Sequence, residues 1–143
     1  MCKTSITESE RILDQTGFLS WLEITIEEET DGRAVIELPH REELTNRDGD
    51  TLHGGVVATF IDNAAGTAVR SVLDSPETAR HATTELNLSY LRPATGNLRA
   101  EAVVRKRGRS LVVVEVDVDS CTSSGEWKTV AVGRVSFYVD DGD

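Results

Sequence analysis

The residues able to do chemistry lie within one short stretch. Residues 51–69 read TLHGGVVATFIDNAAGTAV: His53, Gly54 and Gly55 open an apolar, small-residue helix, and one acid, Asp62, interrupts it nine residues after the histidine. Two glycines after His53 leave backbone N–H groups free at a helix N-terminus, where the helix dipole adds positive character. Such a pocket polarises a carbonyl oxygen. Asp62 has Ala58, Ala65 and Val69 as its i−4, i+3 and i+7 neighbours, with Gly55 and Gly66 near the same side, so small residues let something approach it. Val56, Val57, Phe60, Ile61 and Ala64 make the bulkier, core-facing side. A carboxylate among apolar groups is costly to desolvate unless it is used or paired, and desolvation makes carboxylates more basic, as general-base catalysis requires. The plain alternatives are that Asp62 points to solvent and that the glycines only permit a tight junction. HGG alone is weak; HGG followed by an acid in an apolar helix is stronger.

Spacing then limits the mechanism. Gly54 and Asp62 are eight residues apart, about 12 Å along a helix axis. A carbonyl held by the Gly54 N–H is out of reach of the same chain's Asp62. If both act on one substrate, they come from two subunits. A two-fold pair with antiparallel helices brings each Asp62 toward the partner's Gly54.

These residues need elements to position them. Thr7 and Glu10 form a capping box for a short helix over about residues 6–16, which Gly17 ends. FLSWLEITIEE alternates, with Leu22, Ile24 and Ile26 on one face, and predicts a half-buried strand; TDG turns the chain into a second, RAVIELP. A polar loop, HREELTNRDGD, leads to a helix over 53–72. Four long strands follow, over roughly 82–92, 97–107, 110–121 and 127–139, with turn signals at PATGN, KRGRS and SSGE. The short connections imply antiparallel neighbours. The expected fold is α+β: an antiparallel sheet of about six strands wrapped around one long central helix, as a single domain over 1–143.

Composition narrows the class. The 143 residues are 38% hydrophobic and 28% charged, an ordinary globular balance, and no apolar run approaches the roughly 20 residues needed to cross a bilayer. The N-terminal residues lack the layout of a signal peptide, and Cys2 and Cys121 stand alone, so a reduced cytoplasmic setting is expected. The net charge of −10 argues against nucleic acid as partner. The cations are 3 Lys against 12 Arg. An acidic, Lys-poor surface suits a protein bathed in concentrated salt, which screens self-repulsion. That remains one of two open readings, and melting across a salt series separates them. His40 and His81 have no partners at metal-ligand spacing and read as surface or loop residues, and GxSxG, P-loop and GxGxxG motifs are absent.

The stretches NRDGDTLHGGVVATFIDNAAGTAV, TTELNLSYLRPATGNLRAEAVVRKRGRSLVVVEVDV and TVAVGRVSFYV together resemble the hotdog-fold acyl-CoA thioesterases of the PaaI-like, HGG-motif branch. The resemblance covers roughly 46–139. It implies the hotdog fold and hydrolysis of a small or medium acyl-CoA or an aryl-CoA, with no metal or redox cofactor and coenzyme A only as part of the substrate. It further implies a homodimer, with dimers often paired into tetramers through the sheets or the helices. By the same resemblance Gly54 supplies the oxyanion N–H, beside Gly55 in the substrate-contact set. His53 holds the junction, and Asn46 arranges the thioester end, with one extra residue in the intervening loop. Asp62 of the partner serves as base or nucleophile. Thr83, with Thr84 next door, positions the water. The cation-rich hairpin of Arg105, Lys106, Arg107, Gly108, Arg109 and Ser110 is the implied handle for the nucleotide, with Arg92 near the CoA channel. Arg side chains suit phosphate oxygens; an ordinary solvated hairpin is the competing reading. The rival function is a non-catalytic acyl-CoA-binding or effector-sensing protein; a repressor of that kind needs a DNA-reading module, and only about 16 residues precede the first expected strand.

Overall fold

The computed structural model describes residues 6–141, so Cys2 lies outside the described residues. Its elements run α1 (Glu8–Gln15), α2 (Gly17–Leu22), β1 (Thr25–Thr30), β2 (Arg33–Leu38), a single 3-10 turn at Glu42–Leu44, α3 (Gly54–Arg70), β3 (Arg80–Tyr90), β4 (Leu98–Arg107), β5 (Leu111–Cys121) and β6 (Trp127–Asp140). All six strands form one antiparallel sheet in the order β1-β2-β4-β5-β6-β3. α3 packs against one face of that sheet. This is the hotdog arrangement.

The core forms because two periodicities meet. Period-2 positions Leu98, Ala100 and Ala102 of β4 and Val112, Val114, Val116 and Val118 of β5 are all buried, as are Val57, Phe60, Ile61, Ala64, Ala68 and Val69 of α3. Alanines on both sides of the contact let the helix sit close to the central strands. Gly133 of β6 takes this furthest: a side chain there would meet Ile61 Cγ2 at 3.2 Å and the Asn87 carbonyl oxygen at 3.1 Å. Each fully buried Val, Leu, Ile or Phe side chain adds about 1.5–3 kcal/mol of transfer free energy. No helix among the described residues is long and apolar enough to cross a membrane.

Three expectations change. The capping box forms, with Thr7 and Glu10 bonded reciprocally, but Gly17 begins a second helix rather than a strand. The chain leaves α2 through Glu23 in the left-handed region (φ 63°), and β1 starts only at Thr25. Alternating burial of Leu22 and Ile24 survives, because a final helical residue and a two-residue turn also place i and i+2 on one side. Second, β3 and β4 are not neighbours. Residues 91–97 cross the ends of β6 and β5: Leu91 N–H donates to the Val130 carbonyl (2.7 Å), and Asn97 accepts from the Cys121 N–H (3.0 Å). β3 is thereby an edge strand, paired among the described residues only with β6. Third, the helix ends at Arg70, with Ser71 as its C-cap.

Candidate active site

The first group of residues gathers at the start of α3. The loop before it is pinned at several points. Asn46 N–H donates to the Thr51 carbonyl (2.8 Å), His53 N–H to the Leu44 carbonyl (2.9 Å), and Leu52 N–H to the Ala94 carbonyl of the crossover (2.8 Å). Asp48 Oδ1 accepts from the Asp50 and Thr51 amides, both at 3.0 Å, which holds its carboxyl below its ordinary pKa. Asn46, Gly54, Val57, Tyr90, Arg92 and Ala94 share the wall of a pocket of about 450 Å3.

At this junction the two glycines differ. His53 is the N-cap of α3, and its Nδ1 accepts the Gly55 N–H at 2.8 Å. An imidazole accepting at Nδ1 carries its proton on Nε2. The expectation of two free amides is therefore corrected to one: among the described residues nothing accepts from the Gly54 N–H. Tyr90 fixes the next peptide, the one that carries the Gly55 N–H, its hydroxyl donating to the Gly54 carbonyl at 2.6 Å. Tyr90 is a site residue that the sequence does not single out, because an aromatic at the end of a strand ordinarily packs.

Asp62 lies in a second, separate pocket of about 210 Å3, with Asn63, Gly66, Arg70, His81, Thr83 and Phe137 on its wall. Thr83 Oγ1 donates to Asp62 Oδ1 at 2.6 Å. Thr84 turns away and donates to the Ser136 carbonyl (3.1 Å). The small-residue face around Asp62 is only partly open: Gly55 and Ala58 are accessible, but Ala65, Gly66 and Val69 are buried beneath the chain's own elements.

His81 is not a plain loop residue. It lies half-buried at the start of β3, its Nε2 accepting from Arg70 NH1 (3.2 Å) and its Nδ1 facing the Ala79 carbonyl (3.3 Å). Burial, and then the charge of Arg70, hold its pKa below the ordinary 6.5. His40 bonds locally, through Nε2, to the Asp50 carbonyl (2.6 Å).

The expected nucleotide contacts fall in two places, one at the Gly54 pocket and one at the Asp62 end of the sheet. Arg92 lines the Gly54 pocket and donates to the Thr129 carbonyl (2.7 Å). The cationic hairpin lies at the Asp62 end, because Arg107, Val112, Phe137 and Thr83 are successive partners across β4, β5, β6 and β3. Two of its cations are already paired, Arg105 with Glu115 (2.5 Å) and Arg107 with Asp141 (2.7 Å). Lys106 and Arg109 are exposed and form no ion pair among the described residues. Gly108 N–H donates to the Leu111 carbonyl (2.8 Å), and Ser110 accepts from the Val139 N–H (2.9 Å), which closes the hairpin.

One chain thus holds the polarising amide and the helical acid Asp62 in two separate pockets along one helix; the acid on the amide's own pocket wall, Asp48, has Oδ1 tied to the Asp50 and Thr51 amides of its loop. Residues 49–121 match the family model of the thioesterase superfamily. The chain is 46% identical over 132 residues to a candidate esterase of Halobacterium salinarum, covering 89% of this chain and 87% of that protein. It is 33% identical over 113 residues to human acyl-coenzyme A thioesterase 13, covering 78% and 76%. Among solved structures, a thioesterase family protein from Silicibacter pomeroyi superposes with a TM-score of 0.84 at 26% identity, covering 92% of this chain and 94% of that one.

Proposed function

This chain belongs to the thioesterase superfamily and is a thioester hydrolase, and from that premise we propose that it hydrolyses acyl-CoA at composite sites built by two copies. The observation that carries the reading is the division just described: Gly54 and Asp62 occupy different pockets of one chain, so a two-subunit site is the way to join them. The reading also places the chain in the PaaI-like, HGG-motif branch, on its motifs.

β3 is the natural seam. It is an exposed edge of eleven residues with unpaired backbone groups on its outer side, and such an edge invites another strand. Its start touches Asp62 through Thr83 and its end touches Gly54 through Tyr90. Antiparallel pairing of two β3 strands about Leu86 and Asn87 sets Thr83 of one copy against the partner's Tyr90. Each Asp62 then faces the partner's Gly54, and two equivalent sites form.

In that site the thioester carbonyl oxygen accepts from the Gly54 N–H, which the helix dipole makes more electropositive. Water, oriented by Thr83, gives a proton to Asp62 as its oxygen bonds to the carbonyl carbon. The tetrahedral oxyanion collapses, the carbon–sulfur bond breaks, and the proton passes to the departing thiolate. The products are a free acid and coenzyme A. Direct attack by Asp62, through an anhydride that water then opens, uses the same geometry. Asn46 orients the thioester, and no step calls on a metal or redox cofactor. Lys106 and Arg109 of the hairpin, together with Arg92, are the groups assigned to the phosphates of CoA. The test is free-thiol release from a panel of acyl-CoAs, with Asp62→Asn alongside. Wild-type protein should release CoA and the variant should lose at least about 100-fold; full activity in Asp62→Asn would remove the acid from its assigned role.

A further inference from the structure

Arg70, the last residue of α3, is only 7% exposed. Its guanidinium folds back along the helix: a side chain at Gly66 would meet NH1 at 3.3 Å and NH2 at 3.4 Å. Gly66 is one turn beyond Asp62, so the cation is laid over the turn next to the acid, and both side chains line the same pocket. Among the described residues the hydrogen-bond partners of the guanidinium are neutral. Nε donates to Ser9 Oγ at 2.7 Å, NH1 to His81 Nε2 at 3.2 Å, and NH2 reaches Thr67 Oγ1 at 3.5 Å. The carboxylate joined to this chain of bonds, Glu29, is one hydroxyl removed: Ser9 Oγ donates to Glu29 Oε2 at 2.7 Å, while Glu29 Oε1 finds no partner among the described residues. A buried cation is costly unless opposite charge stands near it. Burial lowers the pKa of Arg70, and the charges of Glu29, Glu8 and Asp62 oppose that shift; a guanidinium stays protonated throughout.

We propose that Arg70 is a positioning residue for Asp62, its buried guanidinium over Gly66 setting a positive charge on the carboxylate's own pocket wall, where it acts most strongly once substrate displaces water. An opposite charge nearby favours the ionised form of an acid, and its influence grows as water leaves. The inference rests on Asp62 as the acid that drives hydrolysis. The groups facing Arg70 are Asp62 and Thr67 on α3, Glu8 and Ser9 on α1, Glu29 on β1 and His81 on β3, with apolar Phe137 from β6.

The experiment compares Arg70→Gln, Arg70→Lys and Gly66→Ala in steady-state kinetics across pH and in thermal melts. Arg70→Gln keeps hydrogen bonding but removes charge. It should lower kcat about 10-fold near neutral pH, leave KM within about twofold, and move the acidic limb of the kcat profile to higher pH. Arg70→Lys should restore most of kcat. Gly66→Ala covers the case in which Arg70→Gln does not fold, because alanine is the better helix former yet its methyl, 3.3 Å from NH1, pushes the guanidinium a few tenths of an ångström off its place over the turn. It should melt no lower than wild type while kcat falls several-fold. The double variant Asp62→Asn/Arg70→Gln should be no slower than Asp62→Asn. Lowered melting temperature with unchanged kcat and pH profile would make Arg70 a structural pin between α1 and α3 and overturn the proposal. A further loss in the double variant would overturn it while leaving the role of Asp62 intact.

Discussion

Thr83 and Tyr90, seven residues apart on β3, both turn toward α3: one hydroxyl bonds the Asp62 carboxylate, the other the Gly54 carbonyl. In a regular strand an odd interval puts two side chains on opposite faces. The pairing with β6 slips between Thr83 and Glu85, and this bulge inverts the facing of everything before it. One extra residue thus lets a single edge strand hold both ends of the candidate site.

Thr83→Val removes the 2.6 Å bond to Asp62 at nearly constant volume. The bond is solvent-exposed, so its loss costs little stability, but the carboxylate it orients is the group assigned to the reaction. The expected result is a fall in kcat of roughly tenfold or more, with melting temperature little changed and Thr83→Ser largely restoring activity. Thiol release and a thermal melt check this; unchanged kcat in Thr83→Val would show that the hydroxyl only packs.

The two-copy site makes a quantitative prediction. Gly54→Pro removes the one unclaimed N–H, and proline is well tolerated at the first helical position. Its nearest obstacle is the Tyr90 hydroxyl, 3.1 Å from a side chain at this position, and Tyr90, 56% exposed, has solvent on one side into which its ring can yield. Gly54→Pro and Asp62→Asn should each be nearly inactive. Refolded together in equal amounts, half the dimers are mixed, each with one intact site, so about a quarter of wild-type activity should return. No recovery would place both groups on one subunit.

Stability should fall on the acid side of neutrality, and His81 should account for part of it. Its folded pKa lies below the ordinary 6.5, so as pH drops through about 6.5 the unfolded chain binds a proton that the folded chain resists. Unfolding is then favoured progressively until the folded pKa is reached. His81→Gln keeps an acceptor for Arg70 but does not titrate. Melting temperatures taken from about pH 7.5 to 5 should decline more gently in this variant; parallel curves would count against the assignment.

The crossover over the sheet ends has one position with no slack. A side chain at Gly96 would lie 1.9 Å from the Cys121 carbonyl oxygen, in a segment also tied by the Gly96 N–H to Ser120 Oγ (3.1 Å). The obstacle is backbone, so Gly96→Ala should destabilise by on the order of 3 kcal/mol. The same segment supplies the Ala94 carbonyl that anchors Leu52 beside the site, so thiol release per folded molecule should fall as well. Denaturant melts paired with activity measurements check both effects.

What the sequence alone determined was local and periodic. The α+β class, the central helix at His53-Gly54-Gly55, five of the six strands within a few residues, the Thr7 and Glu10 capping box and the division between Gly54 and Asp62 follow from periodicity, glycine placement and helical rise. Tertiary structure decided whatever depended on which segments meet. Period-2 burial of Leu22 and Ile24 is shared by a strand and by a helix end followed by a tight turn, so α2 was read as strand. A short connection ordinarily joins neighbours, and only the complete sheet shows that residues 91–97 pass over β6 and β5 and leave β3 at the edge. Thr83 and Thr84 are chemically alike in sequence, and the bulge chooses between them. Arg70 and His81, eleven residues apart on a helix and a strand, become partners only when β3 closes the sheet beside α3.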